Sequence, residues 1–147
     1  IDDSHHRKAG YEQALHAHGI NFDQEYCAEA QPTDEGGEQA MTTLLSRNLP
    51  ITAVVCYNDY MAAGALSALE KQEITVPKDI SLMGFDNGLI AKYLHPKLST
   101  IDYPIQTMAK QAAELSLALV TAGSSITKGT IFQASLIERS SVIKQGI

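Results

Sequence analysis

Two apolar runs that each end in polar residues decide the fold of this chain. Residues 52–59 read Thr-Ala-Val-Val-Cys-Tyr-Asn-Asp, and residues 80–88 read Ile-Ser-Leu-Met-Gly-Phe-Asp-Asn-Gly. Between them, residues 60–70 carry apolar side chains at helical spacing. This alternation predicts an α/β fold with a mainly parallel sheet. Ligands of such sheets bind beyond the carboxyl ends of the strands, which is where Asn58 and Asp86 fall.

The composition fits one folded domain that does not itself contact nucleic acid. Of the 147 residues, 44% are hydrophobic and 19% are charged, which is enough apolar material for a core. The formal net charge of -6 argues against the Lys/Arg-rich face of a DNA-binding surface. No apolar run is long enough to cross a membrane, so we expect no membrane partner. Cys27 and Cys56 form no disulfide pattern and fit a reducing, cytoplasmic location.

The periodicity of the remaining sequence predicts elements on both sides of this unit. Helices are expected over 4–18, 36–47, 59–72, 88–93 and 104–121, and extended segments over 26–28, 52–57, 80–85, 98–101 and 130–136. Pro104 would open the last long helix and Gly123 would end it. The first helix has no strand before it and the sequence has no initiator Met, so we expect a fragment of a longer protein.

Arg7 breaks a local rule of helix chemistry. It stands in the first turn of the first predicted helix, where a cation opposes the helix dipole by up to about 1 kcal/mol. A broken rule of this kind flags a functional residue. The guanidinium would offer a fork of donors to ligand oxygens, and the alternative is a plain surface arginine.

Asn58 and Asp86 have the chemistry of sugar-binding residues. The Asn58 amide donates and accepts at once, and the Asp86 carboxylate can accept hydrogen bonds from two adjacent hydroxyls. Both residue types also cap helices and form turns. We expect Asp59 to cap the helix and Asn58 to contact the ligand. Together with Arg7, these residues predict a small-molecule site.

The sequence carries no catalytic or metal-binding motif. The five histidines lack the spacing of a zinc site. There is no P-loop, no Gly-x-Ser-x-Gly elbow and no Gly-x-Gly-x-x-Gly after a strand. We therefore expect a binding protein without a cofactor, and not an enzyme.

Five ordered stretches resemble one known family. They are Arg-x-x-Gly-Tyr-x-x-Ala-Leu from Arg7, Val-Cys-Tyr-Asn-Asp from Val55, Val-Pro-x-Asp-Ile-Ser-Leu-Met-Gly-Phe-Asp from Val76, His-Pro-x-Leu-Ser-Thr-Ile from His95 and Leu-Ile-x-Arg-x-Ser-Val from Leu136. In this order they resemble the C-terminal part of the effector domain of lac-repressor-type transcriptional regulators, in the galactose-responsive branch.

The resemblance implies an incomplete periplasmic-binding-protein-like (type I) effector domain, built in three layers around a parallel sheet. Residues 1–101 and 133–147 would form its C-terminal subdomain, and residues 104–132 would belong to the N-terminal subdomain. The DNA-binding headpiece would lie outside this chain.

The resemblance also carries over the ligand residues. These are Arg7, Asn58 and Asp86, the three residues that the chemistry selects independently. At the crossover between subdomains, where relatives place an aromatic or polar contact, this chain has Ile105.

The implied partners are a small sugar, with galactose favoured, operator DNA bound through the headpiece, and a second copy of the chain. Dimer contacts would come from the outer face of helix 59–70 and from residues 89–94, with an exposed stripe of Met61, Ala65 and Leu89. Sugar binding would alter operator affinity. A periplasmic sugar-binding protein for transport or chemotaxis shares the fold and is the alternative.

Overall fold

The order of helices and strands is that of an α/β protein, as the sequence predicts. The computed structural model describes residues 2–122 and 129–144. Its elements are α1 (Asp2–Ala17), a 3-10 helix (Gln24–Tyr26), α2 (Asp34–Ser46), β1 (Ala53–Val55), α3 (Asp59–Lys71), β2 (Ser81–Met83), α4 (Leu89–Tyr93), β3 (Thr100–Asp102), α5 (Ile105–Ala122) and β4 (Ser135–Ile137). Among these residues no helix is long and apolar enough to span a membrane.

The strands form a parallel pair and an antiparallel pair. β1 and β2 run parallel, with Val54 opposite Leu82. A parallel bridge between Met83 and Ser99 brings the segment before β3 alongside β2. β3 then pairs with β4 in the antiparallel sense, which the sequence pattern does not reveal. The carboxyl ends of β1 and β2 therefore lie side by side.

Two predicted strands differ from the observed elements. Residues 24–26 form a 3-10 helix and not a strand at 26–28, because the Asp23 side chain accepts from the Glu25 N–H at 2.9 Å and closes a turn. β4 begins at Ser135 and not at Thr130, because its pairing partner β3 is three residues long. The predicted helix end at Gly123 lies outside the described residues.

Helix α3 lies at the centre of the core, where it packs on α2, α4 and β2. Leu69 of α3, Met41 of α2, Leu82 of β2 and Leu98 before β3 are each at most 1% exposed. Burying one such side chain stabilises a fold by about 1.5–3 kcal/mol. This core holds the ends of β1 and β2 in fixed positions.

The prediction that Met61, Ala65 and Leu89 form an exposed stripe is wrong for the two residues on α3. Met61 and Ala65 are 8% and 2% exposed, so both are buried within this chain. The reason is the close packing of α2 on this face of α3. Leu89 at the start of α4 is 71% exposed, as predicted.

Glycines allow α2 and α3 to approach backbone to backbone. A Cβ atom on Gly64 would lie 2.7 Å from the backbone nitrogen of Glu38 and closer still to the carbonyl oxygen of Asp34. A Cβ atom on Gly37 would lie 2.5 Å from the Cα atom of Met61. No side chain fits at either position without separating the helices.

Gly64→Ala is expected to lower the free energy of unfolding by about 3 kcal/mol, the upper end for overpacking, because the added methyl meets backbone atoms. The matched control is Gly10→Ala in α1, where a Cβ atom meets nothing within 4 Å. There alanine should stabilise the helix by about 1 kcal/mol. Urea denaturation of both variants measures the difference. Equal midpoints would contradict the helix contact described above.

Candidate ligand-binding site

The structure brings Arg7 and Asp86 together at the carboxyl ends of β1 and β2. Arg7 Nη2 lies 3.9 Å from Asp86 Oδ1, and Arg7 Nη1 donates to the carbonyl oxygen of Tyr57. The Arg7 side chain is 25% exposed and the Asp86 side chain 36% exposed. Both groups therefore keep donors and acceptors open to a ligand.

Two aromatic rings hold the Arg7 guanidinium. Its Cζ atom lies 4.3 Å from the centroid of the Tyr57 ring and 3.7 Å from that of Phe85. Such cation–π contacts contribute about 0.5–2 kcal/mol, depending on how much water they exclude. The rings restrict a long side chain to one region and so pre-organise its donors. Sequence reasoning missed both rings, although each directly precedes a predicted site residue.

Asp86 is held in an unusual backbone conformation. Its φ angle is +106°, which non-glycine residues rarely adopt, and its N–H donates to the Ile101 carbonyl at 2.9 Å. Strain of this kind clusters at functional sites. Burial raises the pKa of the Asp86 carboxyl above its ordinary value. Arg7 and a hydrogen bond with Tyr103 oppose this rise in pKa, and the charge of Asp59 adds to it.

Tyr103 is a further residue of this site. It hydrogen-bonds with Asp86, and its ring centroid lies 6.0 Å from that of Phe85. Ile105 is 59% exposed at the start of α5, and its place at the crossover between subdomains stays a prediction. Tyr103 lies beside the Asp86 carboxylate. Tyr103 directly follows β3, so the rule that ligands bind at strand ends could have identified it.

Asn58 caps α3, and the prediction that Asp59 does so is wrong. The Asn58 Oδ1 atom accepts from the N–H of Met61 at 2.8 Å, and its Nδ2 atom donates to the Pro32 carbonyl at 3.1 Å. Asn58 is 8% exposed. It lies at the same sheet edge as Asp86, and its contact with a ligand stays a prediction.

Asp59 has a structural role instead. It is 1% exposed, and its carboxylate accepts from the Gly88 N–H at 2.7 Å and from the Thr100 hydroxyl at 2.6 Å. These bonds tie the start of α3 to the start of α4 and to β3. The buried carboxylate thus supports the loop that carries Asp86.

Comparison with known proteins defines the class of this domain. Residues 2–142 match the family described as a periplasmic binding protein-like domain. The chain belongs to this family. The fold and the polar residues at its strand ends agree with that assignment.

The chain is also similar to individual transcriptional regulators of known sequence. It is 46% identical over 142 residues to the HTH-type transcriptional regulator GalR of Escherichia coli, covering 97% of this chain and 41% of that protein. It is 42% identical over 113 residues to the HTH-type transcriptional repressor CytR of Escherichia coli, covering 77% of this chain and 33% of that protein. The chain thus spans less than half the length of these relatives.

The chain is also similar to solved structures of transcriptional regulators. A LacI-type transcription regulator from Bifidobacterium animalis has a TM-score of 0.90 and 31% identity, over 96% of this chain and 51% of that one. A LacI-family regulator from Enterococcus faecium with bound ribose has a TM-score of 0.86 and 30% identity, over 94% and 51%. These relatives confirm the resemblance to lac-repressor-type regulators. They are regulators and not enzymes, as expected.

Proposed function

We propose that this chain is the effector-binding part of a sugar-responsive transcriptional repressor, with galactose as the effector. The observation that carries the proposal is the meeting of Arg7 and Asp86 at the ends of two parallel strands. A guanidinium beside a carboxylate places donors next to acceptors, which complements adjacent sugar hydroxyls. Asn58 would add a third polar contact. The similarity to GalR favours galactose over other sugars.

The sugar would bind between two subdomains. We assign residues 1–101 and 133–147 to one subdomain and residues 104–132 to the other. The exposure of α5 supports this division, because Leu117 and Val120 are 66% and 85% exposed on it. Apolar side chains at this density call for a covering surface, which a longer protein would supply. The site described above would then be one wall of a cleft.

The intact protein would act as a homodimer. Tyr60 at the start of α3 is 58% exposed, and Leu89 and Tyr93 of α4 are each 71% exposed. Aromatic side chains are enriched at the centre of protein interfaces, and an exposed leucine adds apolar surface to them. A second copy of the chain that packed its own α3 and α4 against these helices would bury the three side chains.

Operator DNA would bind through a headpiece outside this chain, and the protein would work in the cytoplasm. The net charge of -6 fits a role in which this segment does not contact DNA. The sugar would favour one arrangement of the subdomains, which couples its binding to that of DNA by about 1–3 kcal/mol. A sugar that bound both arrangements equally would have no effect on the repressor.

The proposal is tested on the intact protein. Isothermal titration calorimetry with D-galactose and D-ribose should give saturable binding of galactose. Fluorescence anisotropy with a duplex selected from random DNA by the same protein should show that galactose changes the affinity for DNA. Binding of neither sugar would refute the assigned effector. Galactose binding by a protein that selects no duplex from random DNA would favour a transport protein.

Galactose affinity is expected to fall on acidification, and the fall should begin at a higher pH than for an aspartate with the ordinary pKa. Binding would use the ionised Asp86 as acceptor, and burial raises the pKa of this group. Below that pKa, affinity falls by about tenfold per pH unit. The effect of the same group on folding runs the other way. Acidification through this pH range stabilises the folded protein, because the Asp86 carboxyl binds its proton more tightly in the folded state than in the unfolded state.

Calorimetry over a pH series from neutral to mildly acidic measures this effect. The Asp86→Asn variant serves as the control, because its amide does not titrate. Its residual affinity should stay level over the same series. An equal pH dependence in both proteins would assign the effect to another group.

A further inference from the structure

A second arginine fastens the turn that carries Asp86. Arg139, two residues after β4, donates from Nη1 to the Leu98 carbonyl at 2.6 Å and from Nη2 to Asn87 Oδ1 at 2.6 Å. The Asn87 amide donates in turn to Asp102 Oδ1 at 3.0 Å. Asn87 is thus held from two sides: by Asp102 at the end of β3 and by Arg139 just after β4.

The backbone of this turn requires such support. Asp86 and Asn87 have φ angles of +106° and +50°, so two consecutive residues other than glycine lie in the left-handed region. Conformations of this kind persist only where the surroundings fix them. The Asn87 N–H contributes a long bond of 3.3 Å to the Thr100 hydroxyl, whereas both bonds of Arg139 are short and charge-assisted.

We propose that Arg139 is a positioning residue of the sugar site, which holds the Asp86 carboxylate beside Arg7 by way of Asn87. The proposal rests on the sugar-binding function inferred above. Arg139 itself touches no ligand in this scheme. Its effect on affinity comes from keeping a strained turn in one conformation, so that the carboxylate is already placed when the sugar arrives.

The first test is sugar affinity in the intact protein. Arg139→Met should raise the Kd for D-galactose by about tenfold. This is the lower end of the loss of metal affinity that follows when a residue holding a metal ligand in place is mutated. Arg139→Lys should recover part of the affinity, because one ammonium can serve only part of the two-acceptor geometry. If Arg139→Met does not fold, Asn87→Gly removes the same link while keeping a residue that tolerates positive φ.

The matched control is Arg47→Met. The Arg47 guanidinium likewise donates to two acceptors, the backbone carbonyls of Glu25 and Cys27, but it secures the loop before α2 and not the Asp86 turn. This variant should lose stability without losing galactose affinity. Equal losses of affinity in both arginine variants would show that Arg139 acts only through general stability, and would overturn the proposal.

A second readout does not depend on the sugar. Carbon-13 NMR titration of the intact protein, with Asp86→Asn for assignment, follows the pKa of the Asp86 carboxyl. Because burial raises this pKa, release of the turn in Arg139→Met should lower it toward the ordinary value. An unchanged pKa would overturn the positioning role. If galactose fails to bind the wild type, the effector assignment falls, and this titration still decides on Arg139.

Discussion

Asp86→Ala is expected to raise the Kd for galactose by at least about a hundredfold in the intact protein. A carboxylate that accepts from two adjacent hydroxyls makes two charge-assisted hydrogen bonds, each contributing about 1.5–3 kcal/mol. Their loss totals about 3 kcal/mol or more, which corresponds to that factor in Kd. Arg7 would also lose the acceptor that lies 3.9 Å from its Nη2 atom.

The folded state should tolerate this change. The Asp86 side chain is 36% exposed, and burial disfavours its ionised form, as the raised pKa shows. Removing the carboxylate therefore removes a group that opposes folding at neutral pH. Thermal unfolding of Asp86→Ala should match or exceed that of the wild type, while calorimetry detects the loss of sugar binding.

Two controls separate the site from general effects of charge. Asp86→Asn keeps the shape and one acceptor and should lose less affinity than the alanine variant. Asp23→Ala removes an exposed carboxylate that caps the 3-10 helix, and it should leave the affinity unchanged. Wild-type affinity in Asp86→Ala would remove this residue from the site.

The sequence predicts the strand ends well because that signal is local. Each apolar run stops at a polar residue, and parallel strands bring those ends to one edge, so the sequence alone places Asn58 and Asp86 at that edge. Arg7 is predicted because a cation in the first turn of a helix is unfavourable, but α1 begins at Asp2 and Arg7 therefore lies in its second turn. In the structure its guanidinium is held by two rings from distant parts of the sequence, those of Tyr57 and Phe85.

The rest of the site depends on contacts between distant residues. Asn58 and Asp59 are equally good caps by type, and the choice between them is made by the Gly88 N–H and the Thr100 hydroxyl, which draw the Asp59 carboxylate inward. No spacing in the sequence reveals that pairing. Likewise, Met61 is buried because glycines let α2 approach α3, a fact of packing that helical periodicity alone does not show.

Asp59→Ala is expected to have the largest effect on stability, lowering the free energy of unfolding by about 3–5 kcal/mol. The carboxylate is 1% exposed, and its removal leaves the Gly88 N–H without its acceptor and deprives the Thr100 hydroxyl of a bond of 2.6 Å. A buried group left unsatisfied costs about 1–3 kcal/mol, and two are affected here. This is a large part of the stability of a typical domain.

Thr100→Val provides the matched partner for this variant. It removes one of the two donors and nearly keeps the side-chain volume, so it should cost less than Asp59→Ala. The double variant should be less destabilised than the sum of the two, because the bond they share is lost only once. Urea denaturation of the four proteins gives this coupling free energy. Strict additivity would contradict a direct bond between Asp59 and Thr100.

The same network also bears on the sugar site. The charge of Asp59 raises the pKa of Asp86, so a folded Asp59→Asn variant should bring the pKa of Asp86 down. Galactose binding in that variant should then persist to lower pH than in the wild type, provided that the loop keeps its conformation. The structural carboxylate of Asp59 would thereby influence the pH range over which Asp86 binds the sugar. Loss of binding at every pH would instead show that the bond to Gly88 is needed to hold the loop.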